Sequence, residues 1–376
     1  MTIKICRNLI CFCFACFIWL GSINGIPASA NASTILNLWN NGDTKTTIID
    51  FVETVSSKYL IGVGKNPNYV PPEDRIAVFD NDGTLWSEQP CYFQFEFIAD
   101  KQGMTCTELK NMNDGKREAI LASLPAQPMT IDQYKEEART FLEEEYHPEI
   151  TDHHYIELVF QPMLQLINYL KQNDFRVYIV SGGDIDFVRS FAEDVYGIPP
   201  ENVVGSYPTS CFVIDDATGE PVVLRGPCPE ANSDDNSAIY ALLEDHSLLD
   251  DHPDLEEFLK NYLKLKLKSR FYYNDGATKP AGIARFIGKK PIMAVGNSNG
   301  DLEMLQYTDD GDSNQLMMLV KHDDPCREYF EYTCDEHVDE VLQEADARGW
   351  SIISMKNDFR QIFLPAHNSC ATPFYR

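Results

Sequence analysis

A four-residue apolar run that stops at two carboxylates constrains this 376-residue chain more than any other feature. Residues 76 to 79 (Ile-Ala-Val-Phe) have the length of a buried strand, and Asp80, Asp82 and Gly83 follow them. Open parallel sheets bind ligands just beyond the carboxyl ends of their strands. The segment therefore predicts an α/β fold with Asp80 and Asp82 at the chemically active edge, one to attack and one to move a proton.

Two plainer interpretations compete for the same segment. Asp, Asn and Gly are ordinary turn residues, so a structural turn explains the segment in isolation equally well. A calcium-binding loop is the second alternative. Aligning Gly83 with the obligatory glycine of that loop puts Val78 at the first ligand position and Gln89 where a bidentate glutamate belongs, so the calcium interpretation fails at both ends.

A second segment resembles the first in following an apolar run. Residues 176 to 180 lead into Ser181 and Gly182, whose hydroxyl and amide groups are able to hold an anion at the start of a helix. A simple strand-to-helix turn with Ser181 as its cap is the alternative.

Two more segments complete the series. Lys279 opens a short predicted helix and, taken alone, is most simply a surface lysine. The apolar residues 292 to 295 precede Gly296, Asn297 and, four positions further on, Asp301. Their order along the chain favours a catalytic site over four unrelated turns.

The alternation of strands and helices predicts a parallel sheet flanked by helices, with right-handed crossovers. A polar helical pattern over residues 91–159 predicts an inserted helical cap, which leaves 31–90 and 160–376 for the core domain. Within that core, residues 211 to 225 predict a hairpin, and the acidic stretch 229–252 predicts a surface insertion.

The first 30 residues have the pattern of a secretory signal peptide. Lys4 and Arg7 precede an apolar run from residue 9 to 20, and residues 28 to 30 (Ala-Ser-Ala) provide a small-residue cleavage site. A transmembrane anchor is the alternative, but the run is short for a span. We therefore expect a secreted or periplasmic protein without stable membrane association after cleavage.

Cysteine usage extends this expectation. Removing the signal peptide leaves seven of the eleven cysteines, and disulfides are expected in an oxidising compartment. Sequence does not give connectivity; Cys211 with Cys228 and Cys326 with Cys334 are favoured only because each pair flanks a plausible local loop. Seven is an odd number, so one thiol stays free or pairs outside the chain.

The formal net charge of −27 limits the partners. A field of this sign repels nucleic acid and anionic membranes, so neither is predicted as a partner. It also repels an anionic substrate, unless the site supplies local cations.

The four segments in order resemble the four motifs of the haloacid dehalogenase-like (HAD) superfamily of phosphohydrolases. Residues 80–84 resemble the first motif, Ser181 the second, Lys279 the third and residues 297–301 the fourth. The stretches 178–183 and 296–301 are similar to a secreted or periplasmic, phosphoserine phosphatase-like branch. The resemblance implies a Rossmann-like core, a helical cap, a Mg²⁺ cofactor and phosphatase activity on a small phosphomonoester.

The resemblance also implies a role for each residue. Asp80 would attack phosphorus to form an aspartyl-phosphate, and Asp82 would protonate the leaving oxygen and later deprotonate water. The phosphate would be held by Ser181, Gly182 and Lys279, and Mg²⁺ by Asp80, Asp82, Asn297 and Asp301.

One residue departs from the pattern of the superfamily. The commonest fourth motif begins Gly-Asp, whereas this chain has the neutral Asn297, which should hold Mg²⁺ more weakly. A catalytically weak or inactive member that binds a phosphate ligand is therefore the alternative function. Dehalogenation is disfavoured, because that chemistry has no leaving oxygen for Asp82 to protonate. The candidate substrate contacts are Tyr92, Gln94 and Phe95. Core packing explains these residues equally well.

Overall fold

The computed structural model of the chain is organised around a seven-stranded sheet. It describes residues 35–111, 129–215, 218–226, 271–311, 314–328 and 338–368. The strands are β1 Tyr59–Leu60, β2 Gly64–Lys65, β3 Ile76–Phe79, β4 Arg176–Asp184, β5 Val203–Pro208, β6 Ser210–Ile214, β7 Pro221–Arg225, β8 Phe271–Tyr272, β9 Met293–Gly296, β10 Leu316–Lys321 and β11 Ser351–Ser354.

The order across the large sheet is β11-β10-β9-β3-β4-β5-β8. Every neighbouring pair in it is parallel except β5 with β8, which is antiparallel. The predicted α/β class with a mostly parallel, helix-flanked sheet is therefore confirmed, with one added antiparallel edge strand.

Helices cover both faces of this sheet. The α-helices are α1 Asp43–Ser56, α2 Phe93–Lys101, α3 Cys106–Lys110, α4 Ile131–Glu144, α5 Gln161–Gln172, α6 Ile185–Arg189, α7 Ala192–Tyr196, α8 Lys279–Gly282, α9 Leu302–Thr308, α10 Asp339–Arg348 and α11 Met355–Asp358, and a π-helical turn, Ile283–Ile287, continues α8. Pro162, Met163, Leu166, Ile167 and Leu170 recur at helical spacing in α5 and are buried.

Strand β3 lies at the centre of the sheet, and all four of its side chains are buried. Ala77 and Phe79 pack in the larger of two hydrophobic clusters, and Ile76 and Val78 pack in the smaller one. Successive side chains of a strand point to opposite faces, so a sheet covered on both faces needs a continuous apolar run here. This explains why the run ends where the chain reaches the open edge at Asp80.

Strand β4 is longer than its apolar run predicts. It continues through Ser181 and Gly182 to Asp184, with a register shift against β5 between Val180 and Asp184. Asp184, and not Ser181, caps helix α6, because its side chain accepts hydrogen bonds from the amides of Asp186 and Phe187. The interpretation of Ser181 as a helix cap is therefore wrong, and Gly182 lies on a strand extension instead of at a helix start.

Residues 91–159 carry helices α2, α3 and α4, in agreement with the helical pattern. Their buried aromatic side chains, such as Phe97 and Tyr134, belong to the same hydrophobic cluster as Phe79 of β3. Phe97 also packs against Phe187 of α6, with ring centroids 5.9 Å apart. The helical segment thus shares a core with the sheet, and its division from the core as a separate cap stays a prediction.

The hairpin predicted between residues 211 and 225 is present as β6 and β7. A disulfide joins Cys91 to Cys106, a pair that the loop argument does not favour. Cys211 and Cys326 are also disulfide-bonded. Their predicted partners, Cys228 and Cys334, lie outside the described residues, so those two pairings stay predictions.

The signal peptide (1–30) and the acidic insertion (229–252) also lie outside the described residues. Among the helices that are described, none combines the length and the apolar character needed to span a bilayer.

Candidate active site

The predicted site residues meet at the carboxyl edge of β3, β4 and β9. A cavity of about 430 Å³ opens there. Acidic and basic side chains both line it: Asp80, Asp82, Glu88, Asp184, Asp275, Lys279 and Arg225. The aromatic side chains that line it are Tyr92, Phe95, Tyr134, Phe271 and Tyr273. Residues that are far apart in the sequence, such as Asp80 and Lys279, therefore line the same cavity.

Lys279 lies between two carboxylates at the floor of this cavity. Its Nζ donates to Asp80 Oδ1 and to Asp301 Oδ1, both at 2.7 Å, and all three side chains are buried. Burial and the Asp301 carboxylate raise the pKa of Asp80, while the Lys279 ammonium opposes that rise. Burial disfavours the charged lysine, but Asp301 and Asp80 outweigh it, so the pKa of Lys279 lies above its ordinary value. Lys279 is thus a fixed cation beside Asp80 and not a surface lysine.

Asp82 lies two residues further along the same loop. Its Oδ1 accepts a hydrogen bond from the indole Nε1 of Trp86 at 2.7 Å, which fixes the direction of the carboxyl group. Burial, with a contribution from the Glu88 charge, raises the pKa of Asp82 to about 7, although the Trp86 hydrogen bond opposes the rise. A carboxyl group with this pKa is able to donate and accept a proton at neutral pH.

The loop that carries Asp80 and Asp82 requires a glycine at position 83. Its φ of +70° lies in the left-handed region, and a Cβ at this position would meet the Asn297 amide at 2.1 Å and the Glu88 carboxylate at 2.7 Å. The glycine therefore lets the side chains of two distant segments close in on the backbone of the first motif.

The second motif reaches the same cavity through its backbone. Gly182 and Gly183 line the wall, and Ser181 Oγ accepts a hydrogen bond from the Gly183 amide at 2.9 Å. A Cβ on Gly183 would lie 3.2 Å from Ser181 Oγ and 3.6 Å from Asp82 Oδ2. The first and second motifs are thus in close proximity, as predicted. Gln94, a predicted substrate contact, instead holds the wall by accepting from the Asp184 amide at 2.7 Å.

Asp301 and Asn297, the two predicted metal ligands of the fourth motif, make different contacts. Asp301 is fully buried, and its Oδ2 accepts from the amides of Asn297 (2.9 Å) and Ser298 (3.1 Å) while Oδ1 binds Lys279. It orders the fourth motif and positions the lysine. Its predicted contact with a metal ion stays a prediction.

Asn297 contacts a glutamate that sequence reasoning missed. Its Oδ1 accepts from Thr84 Oγ1, and its Nδ2 donates to Glu88 Oε1, both at 3.1 Å. The opposite amide orientation would set two oxygens against each other, so the Glu88 carboxylate dictates this one. No motif marks Glu88 in the sequence; only its place on the Asp82 loop brings it here.

A second charged cluster on the cavity wall was also missed. Arg225, at the end of β7, donates to Asp184 Oδ1 at 3.0 Å and also bonds Asp184 Oδ2 and Asp186 Oδ2. Its guanidinium carbon lies 3.6 Å from the centre of the Tyr134 ring. Burial is outweighed by the two carboxylates, so the pKa of Arg225 is raised further. The cluster fastens the β6–β7 hairpin to the end of β4.

No family model and no curated protein matches this chain. Among solved structures, it is similar to a conserved, functionally unknown protein from Anaerococcus prevotii DSM 20548, with 14% identity, 82% of this chain and 91% of that chain covered, and a TM-score of 0.40. It is also similar to a phosphoserine phosphohydrolase-like protein from Francisella tularensis (17% identity, 73% and 99% covered, TM-score 0.31). A HAD family hydrolase from Salmonella enterica serovar Typhi gives 15% identity, 76% and 69% coverage and a TM-score of 0.34.

HAD family hydrolases are among its structural neighbours. At TM-scores of 0.40 and below, the likeness carries no argument about chemistry.

The donor set of the site fits the Mg²⁺ that the motif resemblance implies. Mg²⁺ prefers hard oxygen ligands, and the carboxyl groups of Asp80, Asp82 and Glu88 line this cavity. The Asn297 amide oxygen accepts a hydrogen bond from Thr84, and its contact with a metal ion stays a prediction. The raised pKa values of Asp80 and Asp82 reflect crowded negative charge in a buried place. A divalent cation relieves such crowding. Asn297 stands where the commonest fourth motif has an aspartate, and Glu88 adds a carboxylate beside this neutral residue.

Proposed function

We propose that this protein is a Mg²⁺-dependent phosphomonoesterase that hydrolyses a small phosphorylated metabolite through an aspartyl-phosphate on Asp80. The observation that supports the proposal most is the Lys279 ammonium, buried between Asp80 and Asp301 at the floor of a cavity that Asp82 also lines. A carboxylate nucleophile held by a cation, beside a carboxyl group that exchanges protons at neutral pH, is what two-step phosphoryl transfer to water requires.

In the first step, a carboxylate oxygen of Asp80 bonds to phosphorus while the bond from phosphorus to the leaving oxygen breaks. Asp82 gives its proton to that oxygen, so the product leaves as a neutral alcohol. In the second step, Asp82 takes a proton from water, the water oxygen bonds to phosphorus, and the bond to Asp80 breaks. Bound Mg²⁺ supplies charge neutralisation between the anionic nucleophile and the anionic phosphate.

The remaining residues hold the phosphoryl group. Lys279 supplies the local cation that an acidic protein needs in order to admit an anion, and it costs no reorganisation because two carboxylates already fix it. The Gly182 amide and the Ser181 hydroxyl lie on the β4 side of the cavity, since Gly182 lines it and Ser181 Oγ contacts the Gly183 amide. They would bind the phosphoryl oxygens.

The proposal extends to location and partners. The pattern of the first 30 residues supports secretion or a periplasmic location, and the net charge of −27 supports the absence of nucleic acid and of an anionic membrane surface among the partners. A phosphoserine phosphatase-like, secreted branch is the finer placement that we propose.

The second candidate function is a phosphate-ligand-binding protein without turnover. Asn297 favours it, because an amide contributes no charge to the metal site. Glu88 weakens that argument, since its carboxylate lies 3.1 Å from the Asn297 amide and on the same cavity.

Phosphate release from p-nitrophenyl phosphate separates the two functions. We expect Mg²⁺-dependent turnover that EDTA abolishes and that Asp80→Asn reduces by at least about a hundredfold, which corresponds to roughly 2.7 kcal/mol in barrier. Asp74→Asn, a change at an exposed carboxylate paired with Lys289, is the matched control and should keep full activity. Binding of phosphate with no turnover in the parent protein would favour the second function.

A further inference from the structure

A second group of metal-ligand side chains lies outside the cavity. Asp152 and His153, in the loop after α4, meet His367 near the end of the described chain. Asp152 Oδ1 lies 2.9 Å from His153 Nδ1 and 3.6 Å from His367 Nδ1. One ligand atom from each of the three side chains lies within 4.8 Å of the other two. None of these residues takes part in the phosphatase chemistry.

His153 gives the strongest indication of a ligand. It is fully buried, its Nδ1 faces the Asp152 carboxylate, and its Nε2 lies 2.9 Å from the carbonyl oxygen of Pro365. An imidazolium donates to both of these acceptors, whereas a neutral imidazole has one N–H and donates to only one of them. A metal ion bound to Nδ1 satisfies both nitrogens at once, because Nε2–H then donates to the carbonyl.

This arrangement is the usual environment of a metal-binding histidine. Such a histidine donates its second ring nitrogen to a carboxylate, a backbone carbonyl or a water, which fixes the ring and the tautomer. Pro365 provides the carbonyl, and the ring of Phe363 packs 6.2 Å from the His153 ring. The imidazole is thus oriented before any ion arrives.

We propose that Asp152, His153 and His367 bind a zinc ion. Two imidazoles and one carboxylate suit Zn²⁺, whereas Mg²⁺ selects oxygen ligands. Zinc bonds of about 2.0–2.1 Å place the ligand atoms of a tetrahedral site roughly 3.3 Å apart, close to the separations of 2.9 and 3.6 Å in this group. Asp152 is 67% exposed, so the ion reaches the site from solvent and a water completes the coordination.

The site joins two distant parts of the chain. His153 and Pro365 are 212 residues apart, and the ion would fasten the segment after α11 to the loop that precedes α5. Binding that favours the folded state raises its stability by mass action, so zinc should raise the melting temperature of the protein.

Zinc titration of the EDTA-treated full-length mature protein tests the proposal. A chromophoric chelator competes for Zn²⁺, and Mg²⁺ is kept in large excess so that the phosphatase site is occupied. We expect one equivalent of zinc bound in the parent, with binding weakened by at least about tenfold in Asp152→Asn and in His367→Ala. The matched control for the first variant is Asp174→Asn, another exposed carboxylate, which should bind zinc like the parent.

Thermal unfolding gives a readout that does not depend on activity. Zinc should raise the melting temperature of the parent and of Asp174→Asn but not that of Asp152→Asn, whose exposed side chain is replaced without harm to the core. Absence of bound zinc in the parent, or a titration curve of Asp152→Asn and His367→Ala that overlays the parent, would overturn the proposal. In that case the three residues form an ion pair only.

Discussion

Two buried cations lie on one cavity, each between two carboxylates, and they do different work. Lys279 bridges Asp80 and Asp301 at the floor, whereas Arg225 bridges Asp184 and Asp186 on the wall. The lysine is a compact charge on a flexible stem. The guanidinium is a planar fork that binds a carboxylate through two parallel hydrogen bonds.

The difference decides which carboxylate is available for chemistry. Arg225 contacts both oxygens of Asp184, one of which also caps helix α6, so that carboxylate is fully engaged in holding the structure. Lys279 contacts Asp80 through Oδ1 only, and Asp80 lines the cavity. Lys279 thus positions Asp80 and leaves its second carboxylate oxygen available for chemistry, whereas Arg225 holds the β6–β7 hairpin against the end of β4.

The largest effect is expected at the lysine. Lys279→Met leaves two buried carboxylates without their cation, so we expect a loss of at least about a hundredfold in kcat/KM and about 3–5 kcal/mol in the free energy of unfolding at neutral pH. Steady-state kinetics and urea unfolding measure the two. Lys289→Met, at a half-exposed pair with Asp74, is the control and should change the free energy of unfolding by less than about 1 kcal/mol. Full activity in Lys279→Met would show that the lysine takes no part in catalysis.

The arginine should separate stability from catalysis. Arg225→Met leaves Asp184 and Asp186 unpaired, so we expect a loss of about 3–5 kcal/mol in the free energy of unfolding. The turnover number with p-nitrophenyl phosphate should stay within about tenfold of the parent, because Asp80, Asp82 and Lys279 keep their contacts. A collapse of kcat in a variant that unfolds like the parent would show that the two cations do not divide the work as described.

A charge swap examines the metal side of the cavity. Glu88→Gln should raise the Mg²⁺ concentration for half-maximal activity by about tenfold, or roughly 1.4 kcal/mol, because the site loses a carboxylate. Adding Asn297→Asp to that variant restores the charge at a neighbouring position and should recover Mg²⁺ affinity. In the parent background, Asn297→Asp sets two carboxylates about 3 Å apart, so its metal-free form should unfold more easily. Equal magnesium curves for all variants would exclude both side chains from the metal site.

A smaller effect is expected at the buried imidazole of His322, which titrates. His322 Nε2 binds the Gly83 carbonyl at 2.8 Å, and Nδ1 binds Glu328 at 2.7 Å. Burial lowers the pKa of His322, but the Glu328 charge outweighs it, so the pKa is raised above 6.5.

This ion pair therefore contributes stability below pH 6.5, and the contribution is lost as the pH rises through the raised pKa. We expect the free-energy difference between the parent and His322→Gln to shrink over that rise, measured by urea unfolding at several pH values. A difference that is independent of pH would contradict the ion pair.

The sequence analysis predicts the lysine cluster but not the arginine cluster, and the reason is local information. Asp80 follows a strand of four apolar residues, and the place of Lys279 between the second and the fourth motif marks it as a site residue. Arg225 meets Asp184 across 41 residues, through a hairpin that folds back on the end of β4. That contact depends on tertiary packing, which no spacing in the sequence encodes.

The same limit explains the other misses. Gly182 continues strand β4 in the region where the register against β5 shifts, although a glycine pair normally indicates a turn. Glu88 is invisible as a site residue because its significance arises only when Asn297 packs against it. The central strand β3, by contrast, follows from an apolar run whose length matches the strand.

Detection of the phosphorylated residue tests the central claim most directly. Asp82→Asn should still be phosphorylated by p-nitrophenyl phosphate, whose leaving group needs no proton, but it should release phosphate slowly because it lacks the base that activates water. After an acid quench, we predict that the peptide containing Asp80 gains the mass of one phosphoryl group and that Asp80→Asn gives no such peptide. A phosphoryl group on Ser181, or turnover without any phosphorylated peptide, would contradict the account.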